Sequence, residues 1–284
     1  MYLKQLIIDW IIKTEELVMK KLGIAIISIV IVIGIAFLGI KQLNKSTTGS
    51  DKKSKGTVTL AATGTSFPTS YKKNGKLVGF DVELADKAAK DLGYKTKWVT
   101  GEFDGLLGQL DNGKVDTVAN DIAITPERSK KYIFSDVYNT EETTVAVNKN
   151  TSYKNLRDLD GKTVAGAVAS NNTENLKNYD PKINIKTYEG RDDIYQALLV
   201  GHVDGVINTR NNLKALIKAK GYNWKVLKGN AATVKIALPF LKNTRGRKLK
   251  KQFDKEITKL IKDGTVRKLS IKYFGYDVTS NLKK

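Results

Sequence analysis

This sequence predicts an α/β fold of two lobes joined by a two-strand hinge, with a membrane-spanning helix in front of them. Three observations carry that prediction. From Thr57 onward, stripes at helical period alternate with short strand-like runs, the grammar of helices laid on a sheet. The unit Gly113-Lys-Val-Asp116 returns as Gly201-His-Val-Asp204, so each half of the chain carries the same step of helix, glycine stop, Val-Asp and strand. Ahead of both halves, Leu22 to Ile40 runs for about nineteen residues without a charge, long enough to span a bilayer as a helix.

Residues 1–18 mix Ile, Leu and Trp with charges and read as a lead-in, or as an over-called start before Met19-Lys-Lys21, a typical exported beginning. Residues 19–41 read as an uncleaved anchor, because Ala36-Phe-Leu-Gly-Ile40 offers no small-x-small cleavage site; a cleaved signal is the alternative. Residues 42–56, rich in Lys, Ser, Thr and Gly, read as a flexible tether.

The first lobe is placed at 57–147. Thr57 to Ala62 alternates as a strand, and Ser66 to Lys76 reads as loop. Asp81 is placed as the cap of a helix with Ala85, Ala88, Ala89 and Leu92 on one face, and Lys95 to Thr100 is a further strand. Phe103, Leu106, Leu107 and Leu110 then recur at i, i+3, i+4 and i+7, Gly113 stops that helix, and a buried strand follows from Val115 to Ala119. Thr125 and Pro126 read as the N-cap and first position of another helix, which puts Arg128 in its first turn. Thr143 to Val147 is strand-like and leads to a crossing at Asn148-Lys-Asn150. The second lobe, 148–235, holds strands at Thr163 to Val168, Ile183 to Tyr188 and Gly205 to Asn208, with a helix from Asp192 to Val200. Residues 236–284 return to the first lobe: Val234 to Leu238 is the second crossing strand, and a helix from Arg247 to Ile261 packs back. Two crossings make a hinge, and closure about a hinge is a recurring response to ligand.

The chain of 284 residues has no cysteine and one histidine, which excludes disulfides, thiolate catalysis and a multi-histidine metal site. His202 corresponds to Lys114 in the echoed unit and reads as a surface turn residue. The formal net charge is +20, and the last sixty residues hold seventeen Lys or Arg against four Asp or Glu. Nucleic acid is the usual partner of such a balance, but no nucleic-acid motif is visible. An anionic cell wall or membrane surface fits better, with a merely lysine-rich solvated surface as the equal alternative. No phosphate-cradling Gly-x-x-x-x-Gly-Lys loop and no nucleophile-base constellation occurs, so neither a bound cofactor nor catalysis is expected.

Arg128 is the residue of greatest interest. It begins a helix just past a strand end, where open α/β sheets bind ligands. Its planar fork suits a carboxylate; an ion pair with Asp116, Asp136 or Glu127 fits the spacing equally well.

Longer motifs decide between these readings. Gly79-Phe-Asp-Val-Glu-Leu-Ala-Asp-Lys-Ala-Ala-Lys-Asp-Leu92, Leu110-Asp-Asn-Gly-Lys-Val-Asp116, Ile124-Thr-Pro-Glu-Arg128 and Phe134-Ser-Asp136 resemble the family 3 extracellular solute-binding proteins of ABC importers, the polar amino-acid group. The resemblance runs from about Thr57 to Asn281, and the ending through Lys272-Tyr-Phe-Gly-Tyr-Asp277 is most similar to the cystine-binding members.

That resemblance implies a two-lobed periplasmic-binding-protein-like (type II) fold. It also implies a monomer on the extracellular face that delivers an amino acid, with cystine leading, to permease and ATPase subunits. An adhesin or sensor using the basic surface, or a dehydratase on the same fold, are the rival readings. Carried over by position, Phe103 is a stacking residue or simply the buried start of its helix. Arg128 clamps the ligand carboxylate, supported by Asn120, Asp121 and Ala123, and Ser170 and Asn171 reach it from the second lobe while also capping a helix. Two positions depart from the pattern. Ser66 stands where the other stacking aromatic is usual, which passes that role to Phe67, and Thr209 stands where an acid usually holds the ammonium. Asp121 is the candidate to supply that missing charge, or an ordinary capping residue; Arg210 beside Thr209 would fit a more acidic ligand.

Overall fold

The computed structural model describes residues 54–282; the anchor, the lead-in and most of the tether lie outside the described residues. Among the described residues no helix is long and apolar enough to cross a membrane.

In the first lobe, β1 (Thr57–Ala62) is the central strand, flanked in parallel by β5 (Lys95–Thr100) and β6 (Thr117–Val118). Between β1 and β5 run three short antiparallel strands, β2 (Thr65–Ser66), β3 (Ser70–Lys73) and β4 (Lys76–Val78), in the stretch expected as loop. Helix α1 (Phe80–Asp91) starts directly after them, capped by Gly79 and not by Asp81. Gly79 has φ +140°, and a Cβ there would fall 2.1 Å from the Thr69 carbonyl oxygen, so only glycine fits this junction. Asp81 enters the first turn instead, buried and pointing inward.

Helix α2 (Phe103–Asp111) lies between β5 and β6, and Gly113 adopts φ +66° beyond its end. The short helix α3 (Pro126–Lys131) begins at Thr125, whose side chain accepts the Arg128 N–H, as the sequence predicts. It passes into β7 (Tyr132–Phe134).

The crossing comes earlier than expected. Strand β8 (Asn139–Asn148) gives its first half to an antiparallel pairing with β13 (Ala232–Ile236) and its second half to the sheet of the second lobe. The apolar run Thr143 to Val147 is thus an inner strand of the second sheet, and the chain leaves the first lobe at Asn139–Thr143. Strand β9 (Thr163–Ala167) lies between β10 (Asn184–Tyr188) and β11 (Gly205–Thr209), all parallel, and β12 (Trp224–Val226) closes the far edge. Helices α4 (Asn171–Tyr179), α5 (Arg191–Leu199) and α6 (Arg210–Lys220) cover this sheet. The return segment adds β14 (Pro239–Leu241), paired with β7, then α7 (Thr244–Lys262) and α8 (Thr265–Phe274).

Each sheet is packed on both faces. Val58 and Leu60 of β1 face a core with α1, α7 and α8, while Ala61 faces Leu106 and Leu110 of α2. In the second lobe, Ala165 and Val206 face α5 and α6, and Val164 and Ile207 face Leu176 of α4. The echoed Val-Asp unit has one geometric meaning in both lobes. Asp116 N–H donates to Thr59 O at 2.7 Å while its carboxylate accepts Thr59 N–H at 2.9 Å; Asp204 and Thr163 repeat both bonds at the same distances. The aspartate therefore locks the incoming loop onto the first half of β1 in one lobe and of β9 in the other.

Candidate functional site

The strand ends of both sheets meet at one cleft, which narrows to a small inner cavity. Its first-lobe wall is Ser66, Phe67, Thr69, Phe103, Asn120 and Asp121. The second-lobe wall is Ser170, Asn171, Asn172, Arg191, Asn208 and Asn212. Only the two phenylalanines are apolar, so the cavity suits a ligand that is itself rich in polar groups. A wider, more open groove adjoins it, lined by Ala169, Ser170 and Asn171 on one side and by Thr125 and Arg128 on the other. Ser170 and Asn171 border both spaces.

The loop after β6 carries the first-lobe chemistry. Asn120 is buried, and its side-chain oxygen accepts Thr63 N–H at 2.9 Å and the Thr63 hydroxyl at 3.0 Å, with the Ser70 hydroxyl as a third donor. Asp121 has φ +56°, an unusual backbone for a non-glycine residue, and its N–H donates to the buried Asp81 carboxylate. Its own carboxylate accepts Asn212 Nδ2 from α6 at 2.9 Å, across the cleft, while the other oxygen, Oδ1, is buried without a partner. Burial pushes the Asp121 pKa up to about 6, against the lowering effects of the Asn212 hydrogen bond and the charges of Arg191 and Arg128. Burial and the Asp121 charge also raise Asp81 well above its ordinary value.

Arg128 makes none of the ion pairs that spacing allowed. Asp116 is taken by Arg245, and Asp136 accepts from Thr258. Its Nη1 donates to Ala123 O at 3.0 Å and, at 3.5 Å, to Asn171 Oδ1 of the opposite lobe. Burial pulls the guanidinium pKa below its usual value, as expected for a cation taken out of water without an anion. Opposite it, Ser170 is the N-cap of α4, its hydroxyl accepting Asn172 N–H at 3.3 Å, and Ala169 just before it has φ +55°. The start of a helix presents free N–H groups and a positive pole, a ready seat for an anion.

Not every carried-over residue reaches the cavity. Arg128 and Ala123 do not line the inner space; Arg128 lines the adjoining groove, and Ala123 supports it through its carbonyl and through a bridge to Ile236 of β13. Thr209 does not line it either: it is buried beside Glu141. Asn212, three residues on and facing Asp121, takes its place. Arg210 is structural, bonded to Glu142 at 2.6 Å and to the Leu227 and Gly229 carbonyls. Phe67 packs against cores of both lobes, and Phe103 lines the cavity and packs on the α2 core. His202 is exposed, as predicted. Sequence reasoning missed Asp81, Arg191, Asn208 and Asn212. A basic residue at the very start of a helix, against the macrodipole, was the one available signal for Arg191.

Residues 58–276 match the model of the bacterial extracellular solute-binding proteins, family 3. The chain belongs to this family. Family 3 relatives include "Probable amino-acid-binding protein YxeM" of Bacillus subtilis (strain 168), 42% identical over 82% of this chain and 90% of the relative. "L-cystine-binding protein TcyJ" of Escherichia coli (strain K12) is 31% identical over 90% of this chain and 96% of the relative. Among solved structures, the arginine-, lysine-, histidine-binding protein ArtJ from Geobacillus stearothermophilus superposes with a TM-score of 0.74 at 29% identity, covering 80% of this chain and 100% of that one. The family 3 match accounts for the two-lobed α/β architecture on which the cleft is built.

Proposed function

We propose that this protein is the substrate-binding component of an ABC importer, which closes on a polar amino acid outside the cell and delivers it to a permease, with cystine as the leading ligand. The apolar segment Leu22 to Ile40 serves as the membrane tether in this reading. One observation carries it. The loop after β6 and the helix start that follows it present two opposite charges with bonding capacity left over: Arg128, which has no acid partner, and Asp121, whose buried Oδ1 has none. An α-amino acid offers the complement, a carboxylate for the guanidinium and the α4 start, and an ammonium for Asp121. Asp121 thereby supplies the anion that Thr209 cannot. Relatives named for amino-acid binding and for L-cystine binding support the ligand class.

Titration calorimetry with cystine and a panel of polar amino acids tests this, with Arg128→Ala as the comparison. Saturable binding that weakens at least about thirty-fold in the variant is the expected result, the loss typical of truncating one side of a buried charge pair. Binding of equal strength in R128A, or none to any amino acid by the folded wild type, rules the reading out.

A further inference from the structure

Arg191 is a charged residue in the cavity that the proposed α-amino-acid contacts do not use. It is the first residue of α5, follows Gly190, and is only partly exposed. Glu189, Asp192 and Asp193 surround it in sequence, yet it pairs with none of them and makes no hydrogen bond or ion pair among the described residues. Asp192 and Asp193 of the same turn complement the positive end of the helix, which leaves the Arg191 fork free to face the cavity. Two helix starts, those of α4 and α5, border the same cavity wall, and each adds free backbone N–H groups. Among the described residues the only cavity-lining acid is Asp121, whose carboxylate is bonded to Asn212 and not to Arg191. Arg191 acts on Asp121 through space, helping to hold down a pKa that burial raises.

The wall of the second lobe is therefore positive at two places. One, the α4 start facing Arg128, is used by the α-carboxylate. The other, the Arg191 guanidinium, has no bonded anion among the described residues, and an aliphatic or amide side chain would leave it so. We propose that Arg191 receives a second carboxylate at the far end of the ligand side chain, so that the ligand is an α-amino acid with two carboxylates. This rests on the reading of Arg128 as the clamp for the first. Acidic amino acids and the disulfide cystine share this chemistry.

The test compares paired ligands on the full chain by calorimetry: glutamate with glutamine, and cystine with S-methylcysteine, which lacks the second carboxylate. Wild-type protein is expected to favour one dicarboxylate over its partner by at least about thirty-fold. Arg191→Gln brings that ratio close to one, and Arg191→Lys restores part of it, because a point charge replaces the fork. Selectivity in the glutamate pair assigns an acidic amino acid; selectivity in the cystine pair assigns the disulfide. A ratio unchanged in R191Q, or a variant that weakens both members of a pair equally, overturns the proposal, the second result meaning that Arg191 acts only by sustaining the Asp121 charge. Wild-type binding without preference overturns it too, while leaving the amino-acid reading intact. Silence of the wild type towards all four ligands overturns both.

Discussion

At the scale of single residues, Asp121 is the most informative, because its raised pKa gives the proposed ammonium contact a pH dependence. Burial raises its pKa to about 6 in the ligand-free protein, and Asp81 and Glu141 nearby are raised by burial and by the Asp121 charge. For stability, the sign follows from the raised folded value. The contribution is fully present below the ordinary carboxylate pKa and is lost as pH rises through about 6, so ionised Asp121 works against the fold at neutral pH. A ligand ammonium on Oδ1 favours the ionised form, so binding below pH 6 expels a proton. Affinity is expected to be flat above about pH 7 and to weaken by up to about tenfold per unit below the Asp121 pKa. Calorimetry in two buffers of different ionisation heat measures the released proton directly. Asp121→Asn should bind more weakly and lose this dependence. If it keeps the same profile, the titrating group is Asp81 or Glu141 and Asp121 does not hold the ammonium. Arg128 was legible because Thr125-Pro126 fixes a helix start by local chemistry alone. Arg191 and Asn212 were not, since which side of a helix start faces a cavity depends on how the other lobe docks.

At the scale of elements, the helices were legible wherever a stripe was long, as with Leu106 and Leu110 of α2 or Ala85 and Ala88 of α1. Strands β2, β3 and β4, of two to four residues, are too short for any alternation to show, and so they read as loop. Asp81 was misplaced as a cap for a related reason. An acid at a helix start has a sufficient local explanation, whereas Gly79 caps α1 and Asp81 turns inward to hold the Asp121 N–H. This junction couples fold to site. Gly79→Ala would set a methyl against the Thr69 carbonyl at a backbone angle that side chains disfavour. We expect a loss of about 2–4 kcal/mol, read as a lower urea midpoint at unchanged slope, together with weaker ligand binding as Asp81 shifts. Unchanged stability would mean that the segment from Thr69 to Gly79 yields without cost, and that the junction does not position Asp81.

At the scale of the whole described chain, the paired strands β8 and β13 are the only strand pairing that links the lobes, and β13 also bonds to the site loop through Ile124 N–H to Lys235 O at 2.8 Å. The two crossings were legible, but the first was set too late because a buried strand looks the same whichever sheet receives it. Between the lobes, the Asn212 to Asp121 bond at 2.9 Å joins the cavity walls and the Tyr276 hydroxyl donates to Asn211 Oδ1 at 2.6 Å outside the cavity; the Arg128 to Asn171 contact at 3.5 Å is marginal. A tie formed only when the lobes meet sets how much of the ligand-free protein is closed, and apparent affinity scales with that fraction. Asn212→Ala removes a hydrogen bond to a carboxylate, of order 1.5–3 kcal/mol, which lowers the ratio of closed to open forms by about tenfold or more. Weaker binding by this variant alone would not identify the cause, because Asn212 also lines the cavity. Small-angle scattering separates the two. If the tie controls closure, ligand-free N212A has a larger radius of gyration than the ligand-free wild type, and saturating ligand brings both to the same value. Equal radii without ligand would assign the affinity loss to a missing ligand contact, and closure to the β8 and β13 pairing, the Phe67 packing and the Tyr276 to Asn211 bond.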